Sequence, residues 1–238
     1  MARLYAGTSG FSYPEWKGSF YPAGLPASEM LQFYSRAFPT VEINNSFYRY
    51  PKEGTLRQWM QTVPEGFVFT MKAHRRITHL KRLQDIDEDL GFLAERFSAL
   101  APRLGPILFQ LPPTLRCDLK VFETFLTQLR PIGRTAVEFR HATWRQDAVY
   151  ELMNGHHVAL VIGETDEEAQ PKDVVGPISY LRLHKSRYTA EEIDQWAGWI
   201  RDRTSEGRDV FAYFTHDGTP GYEYARALAD AVNASPRS

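Results

Sequence analysis

Short apolar stretches alternate with amphipathic segments along this chain. The apolar stretches are rich in β-branched and aromatic side chains, a composition typical of buried parallel strands. The segments between them repeat apolar residues every three or four positions, which predicts helices. The predicted strands are Leu4–Thr8, Val41–Asn44, Phe67–Lys72, Ile107–Gln110, Ala136–Arg140, Val158–Ile162, Ser179–Leu183 and Val210–Phe214.

Helices are predicted between most of these strands, and local signals place several of their ends. Ser28 and Thr55 are predicted N-caps, and Thr189 with Glu192 forms a capping-box pattern. The connection 164–177 has charge and proline but no apolar stripe, so we expect a loop with at most a short helix there. Further helices are predicted at Glu88–Leu100, Asp118–Leu129, Asp147–Asn154 and Tyr222–Val232.

The regular alternation of strand and helix implies right-handed crossovers and a parallel sheet. Eight such units in a chain of 238 residues favour a closed TIM-type (β/α)8 barrel. An open doubly wound sheet is the alternative, since periodicity does not report closure. No low-complexity linker interrupts the pattern, so residues 1–238 are predicted to form a single domain.

Composition narrows the classes of partner. The formal net charge is −1, which gives no global attraction to nucleic acid or to an anionic membrane, so any polyanion site must be a local patch. Cys117 is the only cysteine, which excludes an intramolecular disulfide and a multi-cysteine zinc site. The N-terminus lacks the apolar segment of a signal peptide, and no run approaches the roughly 18 apolar residues that span a bilayer. We therefore expect a cytoplasmic protein without a membrane partner.

Charged and amide side chains end several of the predicted strands. Glu138 and Arg140 lie two residues apart and so point the same way, and Arg182 and His184 repeat this spacing. Burying such groups is costly unless they are paired or in use. The C-terminal ends of barrel strands form the working face, where we predict the catalytic residues Glu42, Glu138 and His184. The predicted substrate-binding residues are Thr8, Asn44, Lys72, His74, His79, Gln110, Arg140, His141, Arg182 and Asp217.

Several motifs, in a fixed order over nearly the whole chain, resemble those of the domain of unknown function 72 family, the YecE-like proteins. The resemblance implies a TIM-type barrel and supplies no activity, because the family is functionally uncharacterised. Lys185 departs from the family's usual glycine, and Thr215 and His216 replace its usual amides. The motifs are GTSGFSYPEWKGSFYP (Gly7–Pro22), VEINNSFYRYP (Val41–Pro51), FTMKAHRRITHLKRL (Phe69–Leu83), FQLPP (Phe109–Pro113), VEFRHATW (Val137–Trp144) and YFTHDGTPGYEYARAL (Tyr213–Leu228).

Cations converge on the predicted working face. The run Ala73–Leu83 is basic, Lys185 and Arg187 follow another strand, and Thr215–Gly221 has the glycines and helix start of a phosphate site. We therefore expect a small anionic, phosphate-bearing ligand, with hydrolysis or isomerisation as the reaction class. Carboxylates would act as acid and base, while Lys72, Arg140, Arg182 and His184 would hold the anion.

Other functions also fit the sequence. The basic loop 73–83 could present a non-catalytic surface to nucleic acid or protein, and a structural or assembly role is a third reading. Aromatic residues of the connection 9–27 are predicted to form a hydrophobic lid, with stacking on a base or sugar as the alternative. A divalent metal is a further hypothesis, by analogy with apurinic endonuclease barrels and their metal-dependent phosphodiester hydrolysis. Its ligand types would come from Glu42, Glu138, His184 and Asp217.

Overall fold

Eight parallel strands form the centre of the molecule, which a computed structural model describes for residues 2–215 and 220–234. They lie in one sheet in the order β1-β8-β7-β6-β5-β4-β3-β2, which confirms the predicted (β/α)8 barrel. The strands are β1 (Leu4–Thr8), β2 (Thr40–Ile43), β3 (Val68–Lys72), β4 (Leu104–Gln110), β5 (Thr135–Glu138), β6 (Ala159–Glu164), β7 (Ser179–Leu183) and β8 (Val210–Phe214).

Seven α-helices surround the sheet within the described part of the chain. No helix lies between β6 and β7, as predicted for the connection 164–177. In the stretch between β3 and the next α-helix, the basic run contains an unpredicted π-helical segment, Arg76–Leu80. The α-helices are α1 (Met30–Ala37), α2 (Glu53–Thr62), α3 (Asp87–Ser98), α4 (Leu119–Leu129), α5 (Asp147–Gly155), α6 (Ala190–Ser205) and α7 (Gly221–Asn233).

The predicted helix starts are partly correct. Thr189 and Glu192 form the complete reciprocal capping box at the start of α6. The predicted caps Ser28 and Thr55 are wrong. Ser28 lies in a 3-10 turn that precedes α1, and Thr55 lies inside α2, whose first residue is Glu53. Burial of the apolar faces stabilises both helices, and this tertiary packing cannot be predicted from a capping residue alone.

A tyrosine hydroxyl joins the two strands where the sheet closes. β1 and β2 share only an isolated bridge between Ser9 and Glu42 in the described structure. The Thr8 N–H donates to the buried Tyr34 hydroxyl at 2.9 Å, and that hydroxyl donates to the Thr40 carbonyl at 3.1 Å. Gly7 allows this approach, because a Cβ there would lie 2.3 Å from the Thr40 carbonyl oxygen.

The barrel interior is filled in layers. At its N-terminal end the rings of Tyr5 and Phe211 stack with centroids 4.5 Å apart. Above them the Tyr213 hydroxyl bonds the hydroxyls of Thr40 and Thr70 at 2.8 and 2.6 Å. The layer above these hydroxyls, at the C-terminal ends of the strands, is charged, so the apolar core ends where the predicted working face begins.

No helix in residues 2–215 and 220–234 is long and apolar enough to cross a membrane.

Candidate functional site

The last inward-facing positions of five strands are occupied by polar side chains. On β7, for example, Tyr180 and Arg182 face the barrel interior while Leu181 and Leu183 pack against the helices. The same alternation brings one polar group from each strand into a single layer. We call this the polar layer, and its members are Glu42 of β2, Lys72 of β3, Gln110 of β4, Glu138 of β5 and Arg182 of β7.

Glu42 is held as a carboxylate by a complete set of donors. It is 0% exposed, and Arg182 donates to it through Nε at 3.2 Å and Nη2 at 3.0 Å. The Tyr180 hydroxyl donates at 2.6 Å, the Ser9 hydroxyl at 2.8 Å and the Asn44 amide at 3.0 Å. Burial alone would raise the pKa of Glu42, but the Arg182 charge and these hydrogen bonds outweigh it and lower the pKa to about 2.

Glu138 is the second anchor of the layer and is 2% exposed. Arg182 Nη1 donates to its Oε2 at 2.7 Å, and the Gln110 amide donates to the same oxygen at 2.8 Å. Arg140 Nε lies 2.6 Å from its Oε1. Burial opposes ionisation, but the charges of Arg182 and Arg140 prevail and lower the pKa of Glu138. One guanidinium, that of Arg182, thus joins both buried carboxylates.

Lys72 closes the layer on the β3 side. Its Nζ donates to Gln110 Oε1 at 2.9 Å and lies 4.4 Å from the centre of the Phe47 ring. Burial, and after it the Arg182 charge, lower the pKa of Lys72 to about 8. Lys72 therefore carries its charge at neutral pH although no carboxylate within the described structure bonds it directly.

His184 stands beside the Glu42 carboxylate. Its Nε2 lies 3.2 Å from the Ser9 hydroxyl, whose own proton is donated to Glu42. Burial and the neighbouring Arg182 lower the pKa of His184 to about 3, so the imidazole is neutral at physiological pH. With the Ser9 proton on Glu42, the hydrogen bond assigns the His184 proton to Nε2.

A cavity of about 300 Å³ opens above the polar layer. Its floor is formed by Glu138, Arg140, Arg182 and His184, and a second wall comes from the connection after β6. Gly163 occupies the inward position of β6 beside Arg182, where a side chain longer than that of alanine would enter this space. The second wall is acidic, with Glu164, Asp166, Glu167 and Glu168.

Three of the four acids of this wall are fixed by local contacts. Glu164 accepts a hydrogen bond from the Trp196 indole at 3.0 Å, Asp166 accepts from the Ser186 N–H at 3.0 Å, and Glu168 pairs with Arg145. Neither the wall nor Gly163 was included among the predicted site residues. The acidic run Glu164–Glu168, which follows a predicted strand, could have indicated this wall, but the same pattern is equally typical of a solvent-exposed loop.

Several predicted site residues serve local structure. Thr8 is buried and its hydroxyl donates to the Gly10 carbonyl at 2.6 Å. His141 caps the turn that contains Thr143, and neither Thr8 nor His141 lines the cavity above the polar layer. Asn44 donates to Glu42 but its side-chain oxygen is buried and has no partner in the described structure. Asp217 lies outside the described residues.

The two histidines of the basic loop also lie apart from this cavity. His74 stacks on Tyr50 at 5.0 Å and contacts the Tyr48 carbonyl, while His79 bonds the Thr78 hydroxyl and meets the edge of Phe47.

The basic loop is partly neutralised by a neighbouring helix. Asp89 of α3 pairs with Arg76 at 2.7 Å and with Lys81 at 2.8 Å. Arg82 contacts the Thr114 hydroxyl, whereas Arg75 makes no ion pair with the described residues. Two cations of the basic loop 73–83, which was predicted as a polyanion surface, are therefore paired with Asp89 and hold the loop against α3.

The predicted metal ligands do not converge in the described structure. Arg182 lies between the carboxylates of Glu42 and Glu138, and no three Asp, Glu, His or Cys side chains within 2–215 and 220–234 are grouped as metal ligands. Asp217, the fourth predicted ligand, is outside this part of the chain. A metal thus stays a hypothesis from the sequence.

A second, larger cavity of about 620 Å³ lies at the same end of the barrel. It is bordered by the loop after β1, the end of β2 and the start of α2, and no described residue lines both this cavity and the first. Arg49 and Lys52 line it, and neither was predicted.

The fold and the polar layer define a class of protein: a TIM-type barrel with a charged, hydrogen-bonded layer and two cavities at the C-terminal face. Residues 5–238 match the family model described as protein of unknown function DUF72. The chain belongs to the DUF72 family, as its motifs indicated.

Relatives and solved structures agree with this assignment. The UPF0759 protein YunF of Bacillus subtilis is 30% identical over 257 aligned residues, covering 90% of this chain and 89% of YunF. The UPF0759 protein YecE of Escherichia coli K12 is 31% identical, over 58% of this chain and 48% of YecE. A crystal structure of a DUF72 family protein from Thermotoga maritima has a TM-score of 0.80 at 24% identity, covering 98% of this chain and 100% of that one. These likenesses establish family and fold.

Proposed function

We propose that the protein binds a small, phosphate-bearing anion in the cavity above the polar layer. The observation that carries this proposal is a surplus of positive charge. Within the polar layer and Arg140, counted apart from the acidic wall and among the described residues, Lys72, Arg140 and Arg182 face two carboxylates, those of Glu42 and Glu138, and His184 is neutral. An uncompensated charge close to a buried layer is unfavourable, and an anionic ligand would balance it.

Arg140 is the group best suited to meet the anion. It lines the cavity, only its Nε is engaged with Glu138, and its two terminal nitrogens make no hydrogen bond with the described residues. A free pair of guanidinium N–H groups matches two oxygens of a phosphate. Arg182, in contrast, has Nε, Nη1 and Nη2 committed to carboxylates and serves to position them.

The acidic wall restricts the chemical class of the ligand further. Carboxylates such as Glu164 and Asp166 repel an isolated anion but accept hydrogen bonds from hydroxyl groups. A phosphorylated polyol or sugar fits both surfaces, because its phosphate would lie on Arg140 and its hydroxyls on the wall. Free phosphate lacks the second set of contacts and should bind more weakly.

Binding is better supported than proton transfer. The pKa values of Glu42 and Glu138 are lowered, so both are poor acids and weak bases at neutral pH, and neutral His184 is a weak base as well. Hydrolysis or isomerisation of the ligand, with these three residues as catalysts, remains the reaction class that the sequence predicts. The single cysteine, Cys117, is consistent with the reducing cytoplasmic location that we also propose.

Isothermal titration calorimetry at low ionic strength tests the proposal. We expect a hexose phosphate to bind, the unphosphorylated hexose not to bind, and inorganic phosphate to bind more weakly than the hexose phosphate. Gly163→Leu should abolish binding by filling the cavity. Gly163→Ala is the matched control, because an added Cβ meets the Gln170 side chain at an ordinary 3.5 Å and the backbone there is unstrained.

Two results would overturn the proposal. One is the absence of heat with hexose phosphates, pentose phosphates and free phosphate alike. The other is unchanged binding in a folded Gly163→Leu protein, which would place the ligand elsewhere.

A further inference from the structure

The second cavity, which the proposed function does not use, differs from the first in its charge. None of its lining residues within 2–215 and 220–234 is Asp or Glu, whereas Arg49 and Lys52 both contribute to it. Both cations are exposed, and neither forms an ion pair with residues 2–215 or 220–234. Because the described part of the wall has no carboxylate to neutralise them, these two groups give it a positive potential.

Aromatic rings form the apolar part of this cavity. Phe11, Tyr13, Tyr50 and Trp59 line it, and all four are half-buried. The other aromatics of the connection 9–27 behave differently: Trp16, for example, is buried against Tyr222 at 5.1 Å, as the predicted lid requires. The connection therefore supplies both packing and two rings that remain partly accessible.

These rings are held in place from behind. Trp59 stacks on the buried Phe69, with centroids 5.6 Å apart and 17° between the planes. Tyr50 stacks on His74 at 5.0 Å and 18°. Phe11 meets Trp59 edge-on at 6.2 Å. A wall of fixed, partly accessible rings presents an apolar surface that needs little ordering when a flat group binds.

The volume sets the size of the ligand. About 620 Å³ lies within the range of cavities that hold small molecules, and it exceeds the space that a free phosphate or carboxylate would fill. Fixed rings and two cations that no described acid neutralises therefore favour a molecule that joins a planar ring to an anionic group.

We propose that this second cavity binds a ring-bearing phosphate of the nucleoside monophosphate class. The ring lies against the aromatic wall of Trp59, Tyr50 and Phe11, and the phosphate lies on Arg49 and Lys52. This site is separate from the sugar-phosphate site proposed above, since the two cavities share none of the residues that the structure describes.

Titration of the intact protein with adenosine monophosphate, followed by tryptophan fluorescence and calorimetry at low salt, tests the site. Adenosine supplies the ring without the charge, inorganic phosphate the charge without the ring, and phenyl phosphate a smaller ring. We expect adenosine monophosphate to bind at least about tenfold more tightly than adenosine or phosphate, since both halves contribute. The affinity for phenyl phosphate should lie between that for adenosine monophosphate and that for inorganic phosphate.

Three variants assign the binding to this cavity. The double variant Arg49→Ala and Lys52→Ala, both at exposed positions, should weaken the binding of adenosine monophosphate by about tenfold or more and leave the affinity for adenosine unchanged. Trp59→Leu should weaken both ligands. Lys120→Ala, which removes an exposed charge on α4, is the matched control and should have no effect.

Several results would overturn the inference. Equal affinity for adenosine monophosphate and free phosphate would mean that the ring is not recognised. Loss of binding in Arg140→Ala but not in the Arg49 and Lys52 double variant would assign the nucleotide to the first cavity. No binding of adenosine monophosphate or phenyl phosphate at millimolar concentration would leave the cavity without the proposed ligand.

Discussion

Replacement of Arg182 by methionine should be among the most damaging single changes to the polar layer. Arg182 is 5% exposed and bonds both Glu42 and Glu138. Removing one partner of a buried ion pair costs about 3–5 kcal/mol, because the other partner stays buried and unpaired. The lowering of the Glu42 pKa from 4.5 to about 2 gives a separate figure of about 3 kcal/mol at neutral pH. We expect the free energy of unfolding to fall by about 3–5 kcal/mol at pH 7.

The size of this loss should depend on pH. Because the folded-state pKa values of Glu42 and Glu138 are lowered, the stability they supply is present at neutral pH and is lost as pH falls below about 4.5 towards 2. In the Arg182→Met protein, burial without the guanidinium raises both pKa values. Acidification then protonates the carboxyls and stabilises the variant, so its deficit relative to the wild type shrinks.

Urea denaturation followed by circular dichroism, at pH 7 and again near pH 4.5, measures both effects. Arg57→Met is the control, since Arg57 pairs with Glu53 on the surface of α2 and should change stability by less than about 1 kcal/mol. A loss below about 1 kcal/mol in Arg182→Met, or a larger loss that does not change with pH, would refute the role given to the buried ion pairs.

The contacts of Lys72, Tyr34 and His184 can each be tested separately. Lys72→Met should be at least as stable as the wild type at pH 7 in urea denaturation, because burial of the Lys72 ammonium, whose pKa is lowered to about 8, is unfavourable. The difference in stability should vanish as pH rises from 8 towards 10.5, since the folded wild type then carries a neutral Lys72. Tyr34→Phe should lose about 1–3 kcal/mol in the same assay, since it strands the Thr8 N–H and the Thr40 carbonyl at the β1–β2 seam. The His184 ring should show no titration between pH 5 and 8 in nuclear magnetic resonance spectra, because its pKa is lowered to about 3.

Each of these has a contradicting outcome. A Lys72→Met protein less stable than the wild type by more than about 1 kcal/mol at pH 7 would show that the ammonium is favourably bound without a ligand. Tyr48, which is 68% exposed, provides the comparison for Tyr34. If Tyr34→Phe loses no more stability than Tyr48→Phe, the Tyr34 hydroxyl does not stabilise the β1–β2 seam. A His184 titration midpoint near 6.5 would mean that the ring is solvated.

The strands were predictable because each carries its own periodicity. β1, β7 and β8 have the predicted limits, and the other five differ by one to three residues at an end. The residues of the polar layer were also predictable, since a charged residue in an apolar strand must either be buried in a pair or face a site. What the pattern indicated was one polar side chain at the last inward position of successive strands.

The partners of those residues were not predictable from the chain. Glu42 meets Arg182 across 140 residues of sequence, and only the closure of the barrel brings them together. The pairing turns a predicted acid–base group into a fixed carboxylate, a change that no local motif announces. Likewise, Gly163 creates space by lacking a side chain, and Asp89 neutralises the basic loop from a helix that local periodicity cannot orient.

The affinity of a hexose phosphate for the wild type and for Arg140→Ala, measured by calorimetry at low ionic strength, shows whether Arg140 holds an anion above the polar layer. Surplus positive charge at the polar layer predicts saturable binding to the wild type, a loss of about tenfold or more in Arg140→Ala, and partial retention in Arg140→Lys. Arg57→Ala should bind as the wild type does. Equal affinities for the wild type and a folded Arg140→Ala protein would show that Arg140 does not bind the phosphate.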